Sequence, residues 1–411
     1  MAWFGKASAL ERLDQSLESL ACYDRAVELD LGFFAAWFNR GGVLADLGRH
    51  EEALASFDRA LEIEPQKALN WNGKAAALEH LGRTEEALQC YDRALQIDPR
   101  LAMVWRNKAS LLHDMGRIED ALDCLERTLR LEPRDAESWT PKGVLLRKLG
   151  KDRKALACYD RALALDPRYA PAWVNKGNVL DDLGRHEKAL QCYGRALDIN
   201  PWAAEVWYNK GVTLNRLDRH QEALECLDAA LEKKPDLPQA WSERGLALNR
   251  LARYEEAVEC FDRALQQAPQ NHGAWHEKAL ALMELERVAE VLVCLEKALE
   301  LEPGDARAWE NKGVALLVLE RHEEGLASLA RAVELDPSLS LAWTNRAAAL
   351  GVLGRYEEAL ASTRRAVELD PVDARAWQAQ GKALEHLGRH EEAQSCYKRA
   401  GELDSDILKE D

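Results

Sequence analysis

No apolar stretch approaches the roughly 18 residues that a membrane-crossing helix requires. The first residues, Met1–Lys6, show no basic segment leading into an apolar run, so no secretory signal is visible. Basic side chains are in the minority, 55 Lys and Arg against 71 Asp and Glu, giving a net charge of −16. Nucleic-acid binding needs basic surface to displace counterions, so nucleic acid is not an expected partner. There is no glycine-rich phosphate loop, no nucleophile elbow and no dinucleotide fingerprint. These gaps predict a cytoplasmic chain with no membrane partner, no cofactor and no catalytic activity. Phe and Met are scarce, 6 and 4, whereas Trp is abundant at 13. Apolar residues still make up 47% of the chain, enough to build a packed core.

The Trp residues are ordered. Trp3, Trp37, Trp71, Trp105, Trp139, Trp173, Trp207, Trp241, Trp275, Trp309, Trp343 and Trp377 follow one another at intervals of 34, and only Trp202 stands outside the series. Other positions keep the same phase. Four residues after each Trp lies Gly or Ala, as at Gly41, Ala75 and Gly381. Seven after it lies Leu, from Leu10 to Leu384, and twenty-eight after it Pro recurs from Pro65 to Pro371.

The offsets have a physical reading. Trp, the small residue four on and the Leu seven on share one face of a helix. A Gly–Arg pair such as Gly48-Arg49 reads as a turn, because Gly takes the left-handed conformation that ends helices. An acidic pair such as Glu51-Glu52 suits the N-terminus of a second helix, and the Pro ends it. The unit is an α-hairpin, and stacked hairpins bury a core that one alone cannot close. The expected fold is all-α, a superhelical solenoid of twelve hairpins over residues 1–404, with a short tail at 405–411.

The pattern W-x2-[KR]-[GA]…L…LG…EEA…[YF]-x2-A…P, as it runs from Trp37 to Pro65, resembles the tetratricopeptide repeat. The likeness covers essentially the whole chain. It implies a right-handed superhelix whose first helices line a concave groove. One departure stands out: the third residue after Trp, often Leu in the family, is Lys or Arg in eleven units and Gln380 in the last. That cation is expected to snorkel, its stem on the core edge and its charge in water.

All nine Cys lie nineteen residues after a Trp, from Cys22 to Cys396. Successive hairpins sit about 10 Å apart, too far for disulfides, and no clustered His or Cys spacing suits a metal. They are expected to be reduced packing residues. His386 and His390 are four apart, but Gly388 between them breaks the helix that metal binding would need.

If the first helices line a groove, variation on them should carry specificity. Two residues after the Trp stand Asn39, Asn107, Asn175, Asn209, Asn311 and Asn345. A primary amide both donates and accepts, so such a row can pair with an extended peptide backbone. The alternative is that these amides bond locally as part of the repeat. Phe4 and Phe38 form an aromatic zone at one end. Arg147, Lys148, Asp181, Asp182, Arg216 and Arg250 form a charged zone in the middle. Val314, Leu317, Val318, Leu341 and Val352 form an apolar zone towards the C-terminus. Exposed apolar area of that kind points to a covering partner.

The second helices of hairpins 7 and 8 end in Lys233 and Gln267 where others have Leu or Ile, which predicts a soft join around residues 232–240. The chain opens inside a helix, and only Ile407 and Leu408 are available for a terminal cap, so a fragment of a longer protein or end-to-end self-association is expected. The leading functional expectation is a non-catalytic scaffold holding a protein or peptide ligand. The alternatives are the recognition arm of a larger enzyme (a glycosyltransferase, protease or kinase) and a self-assembling structural spacer.

Overall fold

The computed structural model describes residues 1–410, with side-chain surroundings through Leu403. The side chains of Ile407 and Leu408 lie outside the described residues. Every described element is an α-helix, and the chain forms two compact units, Met1–Pro201 and Trp202–Asp411.

The first unit holds hairpins 1 to 6. Hairpins 1 and 2 are α1 (Ala2–Glu11), α2 (Ser16–Leu29), α3 (Phe34–Asp46) and α4 (His50–Ile63). Hairpins 3 and 4 are α5 (Ala68–His80), α6 (Thr84–Ile97), α7 (Ala102–Asp114) and α8 (Ile118–Leu131). Hairpins 5 and 6 are α9 (Ala136–Lys148), α10 (Asp152–Leu165), α11 (Ala170–Asp182) and α12 (His186–Ile199).

The second unit holds hairpins 7 to 12. Hairpins 7 and 8 are α13 (Ala204–Arg216), α14 (His220–Lys233), α15 (Pro238–Arg250) and α16 (Tyr254–Gln267). Hairpins 9 and 10 are α17 (His272–Glu284), α18 (Val288–Leu301), α19 (Ala306–Val318) and α20 (His322–Leu335). Hairpins 11 and 12 are α21 (Ser340–Val352), α22 (Tyr356–Leu369), α23 (Ala374–His386) and α24 (His390–Glu410).

Each recurring residue has a contact that explains it. The indole N–H of Trp71 donates to the Pro65 carbonyl (2.9 Å), that of Trp173 to Pro167 (3.0 Å) and that of Trp309 to Pro303 (3.0 Å). The bond ties each first helix to the turn before it. The small residue four on is where the helices of a hairpin touch. A Cβ on Gly177 would stand 2.6 Å from the Tyr193 ring, and one on Gly143 2.5 Å from Tyr159. Hairpin turns use the left-handed region, with Gly48 at φ +73° and Gly184 at +70°. Five turns do so without Gly, at Asp14, Asp218, Ala252, Glu286 and Glu320.

The cation three residues after the Trp does not simply reach water. Lys176 stacks over Trp173 (5.3 Å) and pairs with Asp160 of the preceding hairpin (2.7 Å), its side chain 24% exposed. Lys278 does the same with Trp275 and Asp262 (2.6 Å) at 14% exposure, and Arg244 with Trp241 and Asp228 (2.7 Å). Carboxylate and ring together replace the solvation lost on partial burial, so the cation links consecutive hairpins. Lys233 is likewise no gap: it packs over Trp202 and Trp207, its side chain 14% exposed. The division between units falls after Pro201 rather than at residues 232–240.

All nine cysteines are free and buried. Burial pushes the thiols of Cys124 and Cys294 up to about 11, well away from a reactive thiolate.

Candidate functional site

Within each unit, first helices of successive hairpins touch one another: α3, α5 and α7 in the first unit, and α13, α15 and α17, then α19, α21 and α23, in the second. Second helices pack chiefly on their own partner and on the next first helix. First helices therefore neighbour one another within each unit, and all the groove residues expected from the sequence belong to first helices.

The asparagine row is engaged within the protein. Asn107 donates to Asn72 Oδ1 (3.1 Å), Asn311 to His276 Nε2 (2.8 Å) and Asn345 to Glu310 Oε1 (3.4 Å), each reaching the first helix of the preceding hairpin. Asn39 donates to Tyr23 Oη (3.1 Å), and Asn175 turns back to the Pro171 carbonyl (2.8 Å). Asn209 is engaged too, and its carbonyl accepts from the Thr213 hydroxyl (3.0 Å). A primary amide has two N–H groups and an acceptor oxygen, so a single donated bond leaves pairing capacity unspent.

The charged zone is largely self-paired. Arg147 bonds Asp182, Lys148 bonds His113 Nε2 (2.6 Å), and buried Asp181 holds His186 Nδ1 (2.7 Å). Arg216 lies near Glu243, whose carboxyl is raised by burial although Asn215 Nδ2 donates to it (3.0 Å). Asn249 makes the equivalent bond to Glu277. Arg250 remains exposed. The aromatic zone is half-packed: Phe4 lies against Tyr23 (5.7 Å between ring centres) and Phe38 against Phe57 (5.9 Å).

The apolar zone divides. Leu317 is half-buried and packs against the core where Gly325 leaves room for it, and Val314 is half-buried too. Val318, Leu341 and Val352 are exposed at 63%, 45% and 65%. These three, on α19 and α21, are exposed apolar surface on neighbouring first helices; Leu69 on α5 and Met103 on α7 are exposed to a similar degree, at 45% and 42%.

Sequence reasoning missed one feature, a cavity of about 360 Å³ between α7 and α9, with Leu125 of α8 at its wall. Its signal was present as departures from the repeat. Leu125 stands where seven hairpins place an aromatic ring, and Pro141 where six place an Asn.

Tetratricopeptide-repeat models match residues 2–32, 32–98, 74–140, 170–202, 208–272, 276–340, 340–373 and 374–407. A further model, described as TPR repeat, matches 143–184. The chain belongs to the tetratricopeptide-repeat family. Such arrays are typical scaffolds of protein–protein interaction, and no catalytic family matches alongside. Among solved structures, YrrB, a TPR protein with an unusual peptide-binding site, is 28% identical, with 45% of this chain and 95% of that one covered at a TM-score of 0.39. The APC/C hetero-tetramer Cut9–Hcn1 is 13% identical over 98% and 94%, TM-score 0.48. PilF of Pseudomonas aeruginosa is 21% identical over 51% and 95%, TM-score 0.47. No curated protein sequence matches. No described helix is long and apolar enough to cross a membrane, and no group of three His, Cys, Asp or Glu among the described residues could hold a metal.

Proposed function

We propose that this tetratricopeptide-repeat chain is a non-catalytic scaffold that holds a segment of a protein partner on its first-helix face. The observation that carries the reading is the exposed apolar set Val318, Leu341 and Val352. Much of the polar part of the face is engaged internally: Asn107 and Asn311 bond neighbouring helices, Arg147 pairs with Asp182 and Lys148 with His113. Apolar side chains have no such internal solution, and covering them returns about 25 cal/mol per Å² removed from water. Remaining amide groups along the asparagine row supply main-chain contacts that do not depend on the ligand's side chains.

The test uses peptides selected from a random display library on the full chain. Binding is then measured to the wild type and to a Val318→Asp, Val352→Asp variant. Both positions are exposed at helix ends, so circular dichroism and melting should be unchanged. A loss of about tenfold or more is expected, since each Asp would place a charge against apolar ligand surface. Undiminished binding by the folded variant would refute the reading.

A further inference from the structure

The cavity between hairpins 4 and 5 is lined by two residues, Leu125 and Pro141, that differ from the commonest residue at their repeat positions. In hairpins 1, 3, 5 and 6, the position twenty after the Trp is Tyr23, Tyr91, Tyr159 or Tyr193, a ring that is fully buried. Hairpin 4 has Leu125 instead, as hairpins 7, 9 and 10 have Leu227, Leu295 and Leu329, and Leu fills less of the same space. Two residues after its Trp, hairpin 5 has Pro141 where six hairpins have Asn. Proline has no side-chain amide to reach back to α7, as Asn107 reaches back to Asn72. The space opens beside Ala109 and the aliphatic Leu145, with exposed Ser110 and half-exposed Arg106 among its lining residues.

A polar group is left inside it. Thr140 is 5% exposed, lines the cavity, and its hydroxyl has no hydrogen-bond partner. On other first helices the hydroxyl returns to the carbonyl four residues back, Thr213 to Asn209 (3.0 Å) and Thr344 to Ser340 (3.2 Å). A buried hydroxyl without a partner costs on the order of 1–3 kcal/mol. Arg106 is already neutralised by Asp135 (3.1 Å), so the site has an apolar wall and one unmet hydroxyl rather than an unmet charge. A volume near 360 Å³ lies at the low end of the range of small-ligand pockets.

We propose that this cavity is an anchor point for a partner segment on the first helices of the first unit: it receives one bulky apolar side chain, Phe or Leu in size, while the adjoining main-chain amide bonds the Thr140 hydroxyl. The inference rests on the scaffold reading above and gives it a side-chain specificity. An uncharged occupant fits because the guanidinium among the lining residues, Arg106, is held by Asp135.

The experiment titrates N-acetyl-phenylalanine amide, with N-acetyl-alanine amide as comparison, against the full chain by ligand-detected NMR. Saturable binding of the phenylalanine probe and none of the alanine probe is expected. Leu125→Tyr restores the ring common at that position and should weaken binding about tenfold or more. Thr140→Val keeps the shape, removes the hydroxyl and should weaken it about fivefold. No saturable binding to the wild type, or equal binding to Leu125→Tyr and Thr140→Val, would overturn the proposal. The probe does not touch Val318 or Val352. Selected peptides indifferent to the Asp variant therefore count against the scaffold reading alone, and a failed probe counts against the anchor alone.

Discussion

The hairpin turns give the sharpest test of the local physics. Ala252 sits at φ +56° in the turn between α15 and α16, a region where a Cβ costs roughly 1–2 kcal/mol. Glycine removes that cost but adds about 0.5–1 kcal/mol of unfolded-state entropy. Ala252→Gly should therefore stabilise by about 0.5–1 kcal/mol. The reverse change, Gly184→Ala, should destabilise by a similar amount, because Gly184 has φ +70° and an added Cβ there meets nothing within 4 Å. The two turns are closed by the same bond, Arg253 N–H to the Leu248 carbonyl (2.9 Å) and Arg185 N–H to Leu180 (2.8 Å), so backbone conformation is the variable. In a stacked array the effect is local, and amide hydrogen exchange in the adjoining helices is the assay, backed by urea unfolding. Slower exchange in α15 and α16 for Ala252→Gly, and faster exchange in α11 and α12 for Gly184→Ala, is expected. Unchanged exchange in both variants would refute the argument.

Gly177→Ala should destabilise by about 1–3 kcal/mol, because its Cβ meets the Tyr193 ring inside contact distance; an unchanged melting curve contradicts this. Trp173→Phe loses the bond to Pro167 and weakens the stack with Lys176, and urea unfolding should show a loss of about 1 kcal/mol or more. The raised thiols give a pH dependence with a definite sign. Between pH about 9 and about 11 the unfolded chain releases protons that folded Cys124 and Cys294 keep, so stability falls as pH rises, by on the order of 2 kcal/mol per thiol. Cys124→Ser with Cys294→Ser, the residue that Ser56 and Ser328 already place at that offset, should flatten the decline. Parallel urea titrations at pH about 8.5 and about 10.5 measure it, and equal slopes would count against the buried-thiol account.

The hairpin itself was legible because every constraint on it is local and recurs. The Trp interval, the small residue four on, the turn Gly and the terminal Pro each have one contact, made within the hairpin or its adjoining turn. What the sequence misjudged depends on neighbouring hairpins. The cation three after the Trp reads as a snorkelling side chain until Asp160 is brought beside Lys176 from the preceding hairpin. Lys233 reads as a weak spot until Trp202 and Trp207 take it between them. On the first helices, Leu317 and Val318 are adjacent in sequence, but one packs half-buried against the core and the other stays in solvent. The cavity beside Thr140 was hidden because it is made by two substitutions sixteen residues apart, Leu125 and Pro141, each unremarkable alone.

The central claim is that ligand is held on first helices rather than second. A photo-crosslinking residue placed at Val318, exposed on α19, and separately at Arg331, exposed on α20, tests it directly with a selected peptide. The account predicts a crosslink from position 318 and none from 331. A crosslink from 331, with 318 silent in a folded variant, would contradict it.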